Sequence, residues 1–229
     1  MTPGEAVRAR VGPAPGPDRP LVSAADVAIA VVGFGGFAVL TWLVAAHVAI
    51  PFDAPLRDVA LGWSAYAGTW SLISDAANLP LVAIGVGLVL WLLWKRRFRE
   101  AILVVVVLAA VTAGSEAVKQ LVARPRPPSS DAHVIGVVYS FPSGHVLEST
   151  TILGIIAILI WRTTLRRAVR VAVAVAVGAF VALVAVARVA IDAHYPSDVL
   201  AGFLAGIAVL AIFALLTRPP GDAQRQASA

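Results

Sequence analysis

Six apolar runs alternate with short polar segments along the chain, over residues 22–50, 76–94, 101–122, 146–161, 168–187 and 199–216. A helix needs about 20 such residues to cross a bilayer. Several runs are rich in valine, yet a lone strand leaves its backbone unsatisfied in lipid, and the runs are too long for barrel strands. The pattern therefore predicts an all-α integral membrane protein, a six-transmembrane-helix bundle over residues 21–217. The first run exceeds the about 7–15 apolar residues of a secretory signal, so it is expected to remain as an anchor. Residues 1–20, with five prolines and three arginines, and residues 218–229 carry no periodic apolar pattern and are expected to be disordered tails.

Between the first two runs, Leu56, Val59, Trp63, Tyr66 and Trp70 recur every three or four residues. That spacing makes one apolar helix face, and Trp and Tyr favour the lipid–water boundary. An interfacial helix between spans one and two is expected, either beside a lipid entrance or as a plain cap on the loop. In the sixth run, Gly202 and Gly206 form a small-residue pair that serves internal packing and dimerisation equally well.

Composition narrows the class further. The chain is 59% hydrophobic and 14% charged, against about 25% charged for an average soluble domain. A soluble globular enzyme and a disordered chain are both excluded. With no cysteine, disulfides, iron–sulfur clusters and thiolate chemistry are excluded as well. The net charge is +5, and all but two of the 18 basic residues are arginine.

These basic residues fall in clusters. Arg8, Arg10 and Arg19 precede span one, and Lys95, Arg96, Arg97 and Arg99 follow span two. Arg162, Arg166, Arg167 and Arg170 follow span four, and Arg218 and Arg225 follow span six. Under the positive-inside rule both termini are cytoplasmic, and the other three loops lie on the extracytoplasmic face of the cell membrane. No continuous basic face is formed, so no nucleic-acid partner is expected.

The sparse outward loops hold most of the polar groups that lie at membrane depth. Lys119 ends span three and is followed by Arg124-Pro125-Arg126-Pro127. Phe141-Pro142-Ser143-Gly144-His145 leads into span four; Arg188 closes span five; Asp192, His194 and Asp198 lead into span six. Lys119, Arg126 and Arg188 bring three cations to one pocket, which suits a dianionic phosphate. Ser143 is a good N-cap, leaving the amides of Gly144 and His145 free at a helix N-terminus, a ready anion site. Pro196 suits a first helical turn and puts His194 at the mouth of span six, where the helix dipole keeps the ring neutral, as a nucleophile must be. Asp198 can hold the other ring nitrogen and fix the tautomer, and His145 can serve as general acid.

Lys119-x6-Arg126-Pro127, Pro142-Ser143-Gly144-His145 and Arg188-x5-His194-x3-Asp198 together resemble the three-part signature of the type 2 phosphatidic acid phosphatase superfamily. The resemblance implies a metal-independent phosphohydrolase that works through a phosphohistidine intermediate and needs no cofactor. His194 would be the nucleophile, Asp198 its partner and His145 the acid. Lys119, Arg126, Ser143, Gly144 and Arg188 would hold the phosphate. One position departs from the family pattern: Ala187 stands where a serine usually precedes the arginine. Arg124-Pro125 is a second Arg-Pro, but it lies two residues too close to Lys119, so Arg126 is assigned.

Other polar residues have plainer readings. Glu116 can pair with Lys119 on one helix face, and Glu148 lies one turn after His145. His145, Glu148, Asp192 and His194 could be drawn as a zinc site, but the three cations would repel the ion. His47 and His133 read as interfacial or solvated. With an outward site, the resemblance implies a lipid phosphate substrate. Undecaprenyl diphosphate, whose hydrolysis to the monophosphate recycles a cell-wall carrier, comes first, and phosphatidate or phosphatidylglycerophosphate next. A lipid phosphotransferase and a non-enzymatic lipid or anion transporter are the alternatives. Nothing in the pattern sets an oligomeric state.

Overall fold

The computed structural model describes residues 24–128 and 139–217. Helix α1 spans Ala24–Ala45. It is followed by α2, Asp53–Leu61, a 3-10 turn over Ser64–Tyr66, and α3, Ala67–Ala76. Then come α4, Leu79–Trp94, α5, Phe98–Val122, and α6, Gly144–Trp161. The last two helices are α7, Arg167–Ala190, and α8, Pro196–Leu216. Six helical stretches are long and apolar enough to cross a membrane, with α3 and α4 forming one of them. The protein is thus an all-α integral membrane protein with multiple spans. The tails over 1–20 and 218–229, and His133, lie outside the described residues.

Local chemistry sets the helix ends that matter for the site. Helix α5 stops where Ala123 turns left-handed (φ 50°) and donates its N–H to the Lys119 carbonyl at 2.8 Å. Helix α8 begins at Pro196, whose missing N–H costs nothing in a first turn. The Asp198 carboxylate reaches back to the Tyr195 N–H at 2.9 Å and so starts the helix three residues before its apolar run.

The amphipathic segment after α1 does not form one helix. Gly62 has poor helix propensity, and the chain turns there, so α2 and α3 are separate helices joined by the 3-10 turn. The turn brings the Trp63 ring to 5.9 Å from that of Trp70. Leu56, Val59 and Tyr66 stay exposed, whereas Trp70 packs against Ala60, Val189 and Ala190.

Helix α8 lies at the centre, between α1 and α6. Gly202 and Gly206 permit the close approach to α6. A methyl group on Gly202 would stand 2.6 Å from the Ser143 carbonyl oxygen, and one on Gly206 would stand 2.7 Å from the Thr150 Cβ. The glycine pair therefore serves packing inside the chain. At the other end of the bundle, Leu92, Val104, Ile155 and Phe213 tie α4, α5, α6 and α8 together. There the Arg162 guanidinium caps α8 by donating to the carbonyls of Ala214 and Thr217.

The segment entering α6 is fixed from two sides. Phe141 is fully buried and stacks on Phe37 of α1, with ring centroids 6.3 Å apart. Ser140 donates its N–H to the Arg124 carbonyl at 2.9 Å. These contacts hold Ser143, Gly144 and His145 at one end of the bundle, beside the ends of α5 and α7.

Candidate active site

The 191–195 turn, between α7 and α8, carries His194. Its backbone folds back so that the N–H groups of Ala193 and His194 both reach the Arg188 carbonyl, at 3.1 and 3.2 Å. Asp192 takes a left-handed conformation there (φ 56°). Its carboxylate receives a forked pair from Arg57 of α2, at 2.5 and 2.7 Å. A strained turn is thus held by a two-point ion pair.

His194 is 1% exposed. Its Nδ1 faces Asp198 Oδ2 at 3.6 Å, and Nη1 of Arg126 stands 3.5 Å from its Nε2. The same Nη1 donates to the Ala193 carbonyl at 2.8 Å. Burial is the largest influence on the ring. The Asp198 contact opposes it, while the charges of Arg188 and Arg126 add to it, and His194 titrates at about 4 instead of 6.5. Burial and the surrounding cations thus favour the neutral ring, a cause different from the helix dipole invoked from the sequence.

The other expected site residues converge on this end. Arg188, His194, Lys119 and Arg126 are all near enough to act on the charge of His145, whose Nε2 is buried without a hydrogen-bond partner. A methyl group on Gly144 would lie 3.7 Å from Lys119 Nζ, so the lysine passes directly over the start of α6. Ser143 has extended backbone angles (φ −71°, ψ 107°), as an N-cap does, but its buried hydroxyl makes no capping bond. The expected side-chain cap is not formed, and the hydroxyl is left for another partner. Arg188 is buried and donates from Nη1 to the Ser74 hydroxyl of α3 at 2.7 Å, while its Nε has no partner. Three cations, two imidazoles, an unpaired hydroxyl and a helix N-terminus thus gather at one end of the bundle, a set with the charge and donors to hold an anion.

A model of the PAP2 superfamily matches residues 100–220, more than half of the chain. The chain belongs to the PAP2 superfamily. It is a membrane protein of the PAP2 phosphatase family, a family of hydrolases. The fold is similar to the crystal structure of a transmembrane PAP2-type phosphatidylglycerolphosphate phosphatase from Bacillus subtilis. The TM-score is 0.63 at 19% identity, over 80% of this chain and 94% of that one. No curated protein matches the chain.

Around the PAP2 signature residues the structure adds partners that sequence spacing did not reveal. Arg124 Nη1 donates to Asp198 Oδ1 at 2.5 Å and to the Ser197 hydroxyl at 2.7 Å, and Nη2 donates to Asp53 at 2.8 Å. The two Arg-Pro arginines thus divide: Arg126 meets Nε2 of His194, and Arg124 holds Asp198 behind the ring. Asp53 opens an amphipathic helix, where an acid is ordinary, so its burial gave no signal in the sequence. Ser74 gave no signal at all.

Glu116 pairs with Lys119 at 3.6 Å and accepts from Gln120 at 2.8 Å. Glu148 accepts from the Thr112 hydroxyl at 3.3 Å. His145, Glu148, Asp192 and His194 do not gather into a ligand set. Among the described residues, no three His, Cys, Asp or Glu side chains are placed to hold a metal ion.

Proposed function

We propose that this PAP2 phosphatase hydrolyses a lipid phosphate or diphosphate by a metal-independent route through a phosphohistidine on His194. The observation that carries the reading is the setting of the His194 ring, with a carboxylate beyond Nδ1 and the Arg126 guanidinium beside Nε2. With the proton on Nδ1 facing Asp198, the Nε2 lone pair is directed at a phosphorus bound between Arg126, Lys119, Arg188 and the amides at the start of α6.

In the first step the Nε2–P bond forms as the P–O bond to the lipid breaks. Once the phosphate's negative charge sits among the cations, His145 can carry a proton, and it gives that proton to the leaving oxygen. Asp198 balances the positive charge that appears on the phosphorylated ring. In the second step a water attacks phosphorus, His145 takes the water's proton, and the N–P bond returns its electrons to Nε2 as phosphate leaves. The same cations hold the charge of both transition states.

Undecaprenyl diphosphate is the first substrate of this reading, with undecaprenyl phosphate as leaving group; phosphatidate and phosphatidylglycerophosphate follow. The name of the Bacillus subtilis structure supports the last of these. This reading puts both termini in the cytoplasm and the site on the extracytoplasmic face; the basic clusters at 95–99 and 162–170, at the opposite end of the bundle from the site, support it.

The test is phosphate release by purified protein in detergent, in EDTA, from each of the three lipids beside His194→Ala. Release that is lost in the variant and blocked by vanadate is expected, and the ranking of rates identifies the lipid. Activity that disappears in EDTA and returns with magnesium would overturn the mechanism.

A further inference from the structure

Asp53 of α2 is part of no signature block, yet it is 8% exposed and makes three bonds to the catalytic end of the molecule. It accepts the Ser197 N–H at 2.8 Å and the Ser197 hydroxyl at 2.7 Å. Its third bond is from Arg124 Nη2, at 2.8 Å. The Arg124 guanidinium lies 4.0 Å above the Tyr195 ring. From there its Nη1 reaches Oδ1 of Asp198 at 2.5 Å.

The consequence for Asp198 is specific. One oxygen is taken by Arg124. The other accepts the Tyr195 N–H at 2.9 Å and faces His194 Nδ1. Without the guanidinium on Oδ1, the buried carboxylate could turn about its own axis, and the nucleophile would lose a fixed proton acceptor. Charge matters as much as orientation. Arg124 by itself would neutralise Asp198. Shared with Asp53, the trio keeps one negative charge behind the ring that becomes cationic when phosphorylated. Arg57, one turn along α2, binds Asp192 and holds the helix that delivers Asp53.

We propose that Asp53 and Arg124 are positioning residues for hydrolysis, setting the orientation and charge of Asp198 behind His194 while making no contact with the phosphate. The inference rests on His194 being the nucleophile, so His194→Ala is run in parallel. Wild type, Asp53→Asn, Arg124→Lys and Ser197→Ala are compared on the best lipid of the panel. The protein is labelled with 15N-histidine so that the His194 ring is observed directly.

For Asp53→Asn and Arg124→Lys, kcat is expected to fall at least about tenfold with KM within about twofold, since the defect lies in the chemical steps. The ring signal that His194→Ala removes should report the Nδ1–H tautomer in wild type and a tautomer mixture in these variants. Ser197→Ala keeps every charge and loses only the bridging hydroxyl; it should show a smaller kcat loss with the same spectral change. If Asp53→Asn does not fold, Ser197→Ala and Arg124→Lys decide. Wild-type kcat with an unchanged His194 tautomer would overturn the proposal, as would a loss expressed wholly in KM. Turnover surviving in His194→Ala would instead sink the phosphohistidine reading, a separate result.

Discussion

Arg126 and Arg124 are two residues apart, yet they serve opposite edges of the same histidine. Arg126 Nη1 stands 3.5 Å from His194 Nε2, and Arg124 reaches the ring only through Asp198. Two arginines separated by one proline thus reach the front and the back of the ring. Arg126→Lys should therefore weaken substrate binding and transition-state stabilisation together, lowering kcat/KM by about a hundredfold or more, because a lysine cannot reproduce the guanidinium fork. Steady-state kinetics on the best lipid substrate check this. Equal kcat/KM in wild type and variant would remove Arg126 from the phosphate site.

Arg188 is oriented by a hydroxyl from another helix. Ser74 of α3 accepts its Nη1 at 2.7 Å, while Ala187, where the family pattern has serine, offers no hydroxyl. Ser74→Ala should lower kcat/KM about tenfold, the lower end of the about 1.5–3 kcal/mol that one hydrogen bond to a charged group is worth, because Arg188 serves both binding and the transition states. Vanadate inhibition should weaken in parallel. An unchanged inhibition constant would show that Arg188 holds its place without Ser74.

The low proton affinity of His194 has a thermodynamic counterpart. A free histidine titrates near 6.5, and the buried ring titrates at about 4. Between these values the unfolded chain binds a proton that the folded site refuses, so stability rises with pH through this window. It falls as pH drops from 6.5 toward 4, by a contribution on the order of 3 kcal/mol. Thermal unfolding of detergent-solubilised wild type and His194→Asn from pH 7 to 4.5 measures it. Wild type should lose more stability than the variant; parallel curves would contradict a neutral, buried ring.

Gly202 positions the loop as well as packing the helices. A methyl group there meets the Ser143 carbonyl at 2.6 Å, against nothing within 4 Å at Gly178. Gly202→Ala should cost about 1–3 kcal/mol, as overpacking does, and should lower kcat/KM by displacing the start of α6. Gly178→Ala should be neutral or slightly stabilising. Equal melting temperatures and rates in the two variants would refute the close contact.

The proposed topology is open to chemical labelling. Ser130, which lies outside the described residues, should react as Ser130→Cys with an impermeant maleimide on intact cells. Thr163, exposed between α6 and α7, should react as Thr163→Cys only after the membrane is opened. The reverse pattern would invert the orientation. The chain has no cysteine to confuse the result.

Hydrophobic spacing alone determined the six spans, because each must satisfy its backbone internally and present apolar side chains to lipid over a fixed thickness. The signature residues were legible for a related reason: charges at membrane depth are costly, so Lys119, Arg126, Arg188, His145, His194 and Asp198 stand out against apolar runs. What spacing could not decide was pairing across the fold. The segment from Leu56 to Trp70 has the period of one helix, but a glycine and the Trp63–Trp70 contact break it into α2 and α3. Ser143 has the sequence position of a cap, and its hydroxyl makes no capping bond. Asp53 and Arg57 reach Asp198 and Asp192 across more than 130 positions of sequence, directly or through Arg124. Such partners are chosen by how helices pack, since a buried charge binds whichever complementary group the neighbouring element brings within about 3 Å. The sequence determined the span layout, pointed to the chemistry of the pocket and assigned Arg126 by its spacing; only the tertiary structure revealed that Arg124 stands behind the His194 ring, on Asp198 and Asp53, because that pairing depends on how α2, α5 and α8 pack.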